Sequence, residues 1–229
     1  SPDGTLLRAA TFMPAIERLG LASLIDRRVL EIALQTMTRH PQARFSINIF
    51  PQTMQDRRWL ELFETAVSTD PELADAMRRA SPNDPLVLLA ASRLAIEGGH
   101  HDEAVRLLTR AVAMSPDLVQ AQVLLGTEFF HLGNRSGFTR WIRSLPLSAD
   151  DHPGIWVLRG RWAQRHGYRA VALRCFCEAV SRDPNHADAL YQAGRLLESK
   201  GRRKAAAPFF ERAAALQEFI NATKAADTD

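Results

Sequence analysis

The stretch GIWVLRGRWAQRHGYRAVALRCFCEAVSRDPN, residues 154–185, contains two apolar-periodic segments separated by a glycine and followed by a proline. Apolar residues recur at helical spacing on both sides of Gly167. A glycine there supplies the left-handed conformation that ends a helix. Pro184 stops the second segment, because it lacks the backbone N–H that would extend the hydrogen-bond ladder. The stretch therefore predicts two antiparallel helices joined by a tight turn.

The same pattern recurs with a period of 34 residues over residues 85–118, 119–152, 153–186 and 187–218. Glycine occupies position fifteen of every copy, and small residues dominate positions eight and twenty, where they let the two helices approach closely. Position eight holds Ser92, Gly126, Gly160 and Gly194, position fifteen holds Gly99, Gly133, Gly167 and Gly201, and position twenty holds Ala104, Phe138, Ala172 and Ala206. The second copy departs, with Phe138 at position twenty and Leu145 at position twenty-seven. We expect its helices to lie further apart or to cross differently, with a local bend.

These positions resemble the tetratricopeptide repeat family over residues 85 to about 218. The resemblance implies a right-handed α-solenoid of four helix-turn-helix repeats, in which positions two, five, nine and twelve of the first helices line a concave groove. Arginines recur at position nine, so this groove becomes cationic towards its end. The candidate peptide-binding residues are Arg93, Thr127, Phe130, Val157, Arg161, Gln164, Tyr191 and Arg195, with Arg165 one position outside the set.

Guanidinium groups bind carboxylates through two parallel hydrogen bonds, so the predicted partner is a protein or peptide with acidic side chains or a free C-terminus. The alternative is that these arginines are solvated surface residues. The asparagine and lysine pattern of the family's chaperone-tail clamp is absent, which disfavours that ligand.

Charge and hydropathy limit other classes of partner. Residues 85–220 hold 18 Lys plus Arg against 13 acidic residues, whereas residues 1–84 hold 10 Arg against 11 acidic residues. This excess is too dilute for a nucleic-acid binder. No window reaches the roughly 18 apolar residues that cross a bilayer, and no secretory signal is present, so we expect a cytoplasmic protein without membrane partners.

Metal and cysteine chemistry have weak support. Cys175 and Cys177 lie two apart on a predicted helix, where their side chains diverge, and are interpreted as small buried residues. His100 and His101 beside the Gly99 turn suggest a metal site only weakly, because Asp102 is better explained as a helix cap. We therefore predict no cofactor for the repeats.

Residues 1–74 follow a different pattern, and residues 75–84 form a junction. The predicted elements of residues 1–74 are a short helix after Pro14, a helix over Ala22–Arg39, a strand over 44–50 in RFSINIFPQTMQD and a helix from about Asp56. Helix, strand and helix in succession are typical of an α/β fold. The fold class is therefore mainly α, with a small, incomplete α/β segment before the solenoid.

This segment resembles the EAL family of TIM-barrel cyclic di-GMP phosphodiesterases. The matching residues are Phe12, Pro14, Glu17, Gly20, Leu21, Asp26, Val29, Leu30, Ala33, Leu34 and Asn48. The resemblance implies that Asn48 stands at a divalent-metal ligand position, while the other catalytic motifs do not follow. We therefore expect Mg²⁺ or Mn²⁺ only where a complete EAL domain exists, because one amide cannot replace about six oxygen ligands.

The sequence is compatible with two functions. The first is a non-enzymatic scaffold that binds a protein segment in the groove of the repeats. The alternative is part of a cyclic di-GMP phosphodiesterase or sensor whose catalytic portion lies outside this chain. Residues 1–74 are a fragment, a recruited cap or an artificial junction. Phe209 and Phe210 precede an abbreviated tail, 219–229. Either Phe219 and Ile220 extend the last helix and cover part of this apolar patch, or its exposed surface drives self-association.

Overall fold

The structure is a computed structural model that describes residues 9–40, 45, 47–50, 53, 56–69, 77, 79 and 81–226. The chain forms two compact units, residues 1–97 and residues 98–229. The division falls at Glu97, inside the predicted first repeat. Each unit is described by itself.

The first unit is helical in its described part. Helix α2 has the predicted bounds and packs against α3, which packs in turn against α4. The apolar core of the first unit includes Leu30, Trp59 and Leu60, each no more than 5% exposed. The helices are α1 (Ala9–Arg18), α2 (Ala22–Arg39), α3 (Arg57–Thr69) and α4 (Pro85–Glu97).

Two local predictions for this unit are wrong. Helix α1 begins at Ala9, so Pro14 lies inside it rather than before it. A proline costs a helix one backbone hydrogen bond, and burial of Ile16, 6% exposed, favours continuing the helix through it. The predicted strand is also absent from residues 45 and 47–50, the part of 44–50 that the structure describes.

Asp26 explains how this segment is held without a strand partner. Its Oδ2 accepts a hydrogen bond of 2.7 Å from the Phe50 backbone N–H and one of 2.6 Å from the Thr53 hydroxyl. Asp26 is 3% exposed and Thr53 is fully buried. A side chain of α2 thus supplies an acceptor that a neighbouring strand would otherwise have supplied.

The second unit consists of stacked helix pairs, as predicted. Helix α5 packs on α6, α6 on α7 and α8, α8 on α9, α9 on α10, and α10 on α11. All four position-fifteen glycines have positive φ, between 64° and 80°. The helices are α5 (His101–Met114), α6 (Val119–His131), α7 (Arg135–Ser144), α8 (Pro153–Arg165), α9 (Arg169–Arg182), α10 (Ala187–Glu198) and α11 (Arg203–Ala226), with a short 3-10 helix at Leu147–Asp151.

The third copy shows why small residues recur at position eight. A Cβ added to Gly160 would lie 2.8 Å from the ring of Phe176, which is fully buried. The aromatic ring of α9 therefore rests directly on the backbone of α8. Gly194 and Phe210 repeat this arrangement in the fourth copy, also at 2.8 Å.

The second copy packs differently. Trp141, one position earlier than the equivalent of Phe176, covers Gly126, where an added Cβ would lie 2.4 Å from the indole. Phe138 is fully buried and stacks on Trp162 of the next repeat with ring centroids 4.1 Å apart. Helix α7 ends early, because Leu145 is extended (φ −61°, ψ 135°). Phe138, the large residue at position twenty, thus occupies the space between the second and third repeats.

Candidate protein-binding face

Neighbouring first helices bring several of the predicted groove residues together. The Arg165 guanidinium of α8 donates a 2.7 Å hydrogen bond to the carbonyl of Phe130 at the end of α6. Its Cζ also lies 3.7 Å from the centroid of the Phe130 ring. This combination fixes Arg165 against α6 and covers one side of the phenyl ring.

Arg161 is engaged by the next repeat. It donates a 3.1 Å hydrogen bond to Oδ2 of Asp188, the second residue of α10. The two side chains are 37% and 30% exposed, so water still screens this ion pair. Its positive charge is nonetheless largely matched within the chain.

Tyr191 and Arg195 form the most open part of the face. Both residues lie exposed on α10, and Tyr191 keeps 47% of its surface. The Arg195 guanidinium lies 5.9 Å from the centroid of the Tyr191 ring. An exposed aromatic ring beside an accessible cation is a common composition of protein-binding surfaces.

The other predicted groove residues contribute less accessible surface. Val157 is 6% exposed and belongs to the core of the third and fourth repeats. The Thr127 hydroxyl donates to the carbonyl of Val123 at 2.8 Å, and Gln164 is half-buried. Arg93 is half-buried on α4, in the first unit.

Sequence reasoning missed two partners, Asp188 and Glu128. The carboxylate of Glu128 lies 2.8 Å from Nδ1 of His101. Both pairs, Arg161 with Asp188 and His101 with Glu128, are separated by 27 residues. Side chains that can hydrogen-bond to each other at this separation, which links facing positions of successive repeats, were the available signal.

Metal binding finds no support in the geometry. The described residues contain no cluster of three or more His, Cys, Asp or Glu side chains that could hold a metal ion. Asn48 is exposed on irregular backbone, while Asp26, the carboxylate that holds this segment, is occupied by Phe50 and Thr53. These residues do not fit the metal that a complete EAL domain would bind.

The cysteines differ from each other. Cys175 is buried, as predicted, but Cys177 is exposed, because residues two apart on a helix point in different directions. Burial raises the pKa of the Cys175 thiol, although Arg159 and Arg174 oppose this effect. Partial desolvation of its thiol, with the charge of Glu178, also raises the pKa of Cys177. A raised pKa leaves less of each thiol in the nucleophilic thiolate form near neutral pH.

Within the described ranges, every helix is too short or too polar to span a lipid bilayer.

The comparison with family models agrees with both resemblances. Residues 89–136 and 157–219 match the tetratricopeptide repeat. The gap between these two segments covers the atypical end of the second copy, where α7 stops early. Residues 1–77 match the EAL domain. Both segments in which the sequence resembles these families are thus matched by the corresponding family models.

Solved structures of MamA share the fold. One crystal structure of MamA has a TM-score of 0.54 at 17% identity, covering 76% of this chain and 99% of that one. A MamA RS-1 ArsTM double mutant gives 0.53 at 14% identity, covering 86% and 97%. MamA 41-end from Desulfovibrio magneticus RS-1 gives 0.50 at 15% identity, covering 84% and 96%. The comparison with curated proteins found no match.

The match to the tetratricopeptide repeat supports a protein-interaction scaffold. Repeats of this kind present extended surfaces built from successive helix pairs.

Proposed function

We propose that the face formed by Phe130, Arg161, Arg165, Tyr191 and Arg195 binds an extended protein segment that presents a carboxylate beside an apolar side chain. The observation that supports this proposal best is the exposed Tyr191 with the Arg195 guanidinium beside its ring. Tyr191 offers a rigid apolar surface, and Arg195 offers a fork of N–H donors for a carboxylate.

The arginines contribute unequally to this recognition. Arg161 is already paired with Asp188, and Arg165 is held by the Phe130 carbonyl. A ligand carboxylate at Arg161 would have to compete with Asp188, whereas Arg195 is exposed. Arg195 therefore supplies most of the electrostatic attraction, while Arg161 and Arg165 fix the shape of the face.

Selection from a displayed peptide library against the full chain tests this proposal. Peptides should be enriched in Asp, Glu or a free C-terminal carboxylate, next to an apolar residue. Arg195→Glu should weaken the selected peptides by about tenfold or more, and Tyr191→Ala by a similar factor. Arg161→Ala should weaken them by less than Arg195→Ala does.

Arg174→Glu is the matched control, because Arg174 is an exposed arginine on the second helix α9. It should leave peptide affinity within about twofold. Peptides that bind wild type and Arg195→Glu equally well would contradict the proposal. A selection without enrichment of carboxylates would also contradict it.

A second candidate function follows from the EAL match over residues 1–77. It holds that this chain is part of a cyclic di-GMP phosphodiesterase or sensor. Titration calorimetry with cyclic di-GMP separates the two. Micromolar binding by this chain would favour the second function, and absence of heat would favour the scaffold alone.

A further inference from the structure

Helix α7 carries three arginines along the side opposite its buried face. Arg135, Arg140 and Arg143 are exposed, and Ser136 and Thr139 lie between them. Together these five residues line an open depression of about 600 Å³. We call them the α7 stripe. Their spacing along the helix places them on one face, because residues three or four apart are surface neighbours.

Packing fixes the position of the α7 stripe. Phe138 and Trp141 on the opposite face are 0% and 3% exposed. The Trp141 indole N–H donates to Oε1 of Gln122 at 3.1 Å, which ties α7 to α6. Asn134 caps the helix by accepting the Gly137 N–H at 2.8 Å. The arginines therefore project from a preorganised helix.

The charges of the α7 stripe are unmatched in the described part of the chain. There, the Arg135, Arg140 and Arg143 guanidinium groups form neither ion pairs nor hydrogen bonds, and α7 itself contains no Asp or Glu. Arg161 and Arg165, by contrast, are engaged by Asp188 and Phe130. Of these five arginines, the three in the α7 stripe have guanidinium groups that no described residue engages, so they remain available to a ligand.

We propose that the α7 stripe is a second interaction surface, separate from the face around Tyr191 and Arg195, and that it binds an acidic segment of a partner protein. By helix rise, Arg135 to Arg143 spans roughly 12 Å. Carboxylates on one side of an extended chain repeat every ~7 Å, so a segment of about five residues covers the stripe. Guanidinium forks bind such carboxylates in pairs of hydrogen bonds.

A nucleic acid fits the stripe less well than an acidic protein segment. Single-stranded nucleic acids are held by aromatic side chains that stack on bases, together with positive charge. The five residues that line the depression include no aromatic side chain. The stripe is also short compared with a site that follows several phosphates.

A labelled hexaglutamate peptide and an oligothymidylate with the same number of charges are the probes, titrated into the full 229-residue chain at low salt. Arg135→Ala/Arg140→Ala/Arg143→Ala should weaken hexaglutamate binding by about tenfold or more. The corresponding triple Lys variant should bind hexaglutamate with an affinity between those of the wild type and the triple Ala variant. Lysine keeps the positive charge but cannot form the two parallel hydrogen bonds that a guanidinium group makes to a carboxylate.

The matched control is Arg106→Ala/Arg169→Ala/Arg203→Ala, which removes the same charge from exposed positions on α5, α9 and α11. It should change affinity by less than about twofold. Equal weakening by both triple variants would overturn the proposal, since net charge alone would then explain binding. Absence of hexaglutamate binding, or tighter binding of oligothymidylate, would overturn it too.

Arg195→Glu separates the α7 stripe from the proposed function. It should change hexaglutamate affinity by less than about twofold, because the face around Tyr191 recognises a carboxylate beside an apolar side chain, which hexaglutamate lacks. Loss of hexaglutamate binding in Arg195→Glu would overturn the second surface and leave the first intact. Circular dichroism of each variant checks that the helices are retained.

Discussion

The carboxylate of Glu128 is held by the imidazole of His101, with 2.8 Å between Oε2 and Nδ1. Glu128 is 1% exposed, whereas 42% of the His101 side chain remains accessible. His101 begins α5 and Glu128 lies near the end of α6. The contact therefore connects the second helix of one repeat to the first helix of the next.

We expect His101→Ala to lower the free energy of unfolding by about 2 to 3 kcal/mol, because it leaves a buried carboxylate without its partner. The loss stays below that of a fully buried pair, since water reaches the exposed side of His101. Urea denaturation followed by circular dichroism measures the change. His100→Ala, at the exposed neighbouring residue, should stay within about 0.5 kcal/mol. Equal effects of the two variants would contradict the role of the pair.

Alanine substitutions at position eight should lower the free energy of unfolding most where the aromatic ring that covers the glycine is least able to move. Gly126→Ala should cost about 2 to 3 kcal/mol, because the buried Trp141 cannot move away from the new Cβ. Gly194→Ala should cost less than about 1 kcal/mol, since Phe210 is half-buried and can shift. Thermal unfolding compares the variants, with Gly160→Ala between them. The reverse order would show that this packing is wrong.

The repeat was predictable because its signals are local. A glycine at position fifteen needs only its own turn to adopt positive φ, and all four do so. The bounds of α2 were likewise set by its own apolar periodicity. The predictions that were wrong concern local structure that depends on partners distant in sequence. Residues 44–50 alternate like a strand, but a strand needs a neighbour, and Asp26 supplies the acceptor instead.

The candidate face was predicted from register alone, and register does not report pairing. It placed Arg161 at a groove position but did not reveal Asp188 as its counter-ion. It also placed Val157 in the groove, although this side chain is buried in the core. The register assigns groove positions to first helices only, so it does not indicate the α7 stripe, whose three arginines lie on a second helix.

Trp156 is held by packing, by one hydrogen bond and by cation–π contacts with two arginines. Its ring is half-buried, and its indole N–H donates to the Asp150 carbonyl at 2.7 Å. The guanidinium carbons of Arg159 and Arg182 lie 4.6 and 4.7 Å from the ring centroid. Trp156 thus connects the 3-10 helix to both helices of the third repeat.

We expect Trp156→Phe to cost about 1 kcal/mol, because the ring is largely kept and one hydrogen bond is lost. Trp156→Ala should cost about 3 kcal/mol, the lower end of the range for a buried aromatic residue. Urea denaturation followed at 222 nm avoids dependence on tryptophan fluorescence. Tyr168→Ala, at a ring that is 65% exposed, is the control and should be nearly neutral. A Trp156→Phe variant as unstable as Trp156→Ala would contradict this account.

Asp26 should control access to the segment that follows α2. Asp26→Ala leaves the Phe50 N–H and the buried Thr53 hydroxyl without their acceptor, which should cost about 2 to 3 kcal/mol in the first unit. Thr53→Val removes one of these bonds and should cost less. Chymotryptic cleavage after Phe45, which lies in the same segment and is followed by a serine, should accelerate in the same order. Glu31→Ala removes a half-exposed carboxylate of α2 that pairs with Arg27 and Arg28, and should leave the cleavage rate unchanged. Acceleration by this variant would contradict a specific role of Asp26.

Self-association should depend on the last helix. Helix α11 continues to Ala226, and Phe219 on it is 68% exposed. A large exposed apolar side chain favours contact with a second apolar surface, because that contact removes apolar area from water. Phe219→Ser should therefore shift sedimentation towards monomer, whereas Tyr168→Ser, at a similarly exposed ring on α9's N-terminal boundary, should not. A monomer mass for the wild type that does not change with concentration would contradict association through α11.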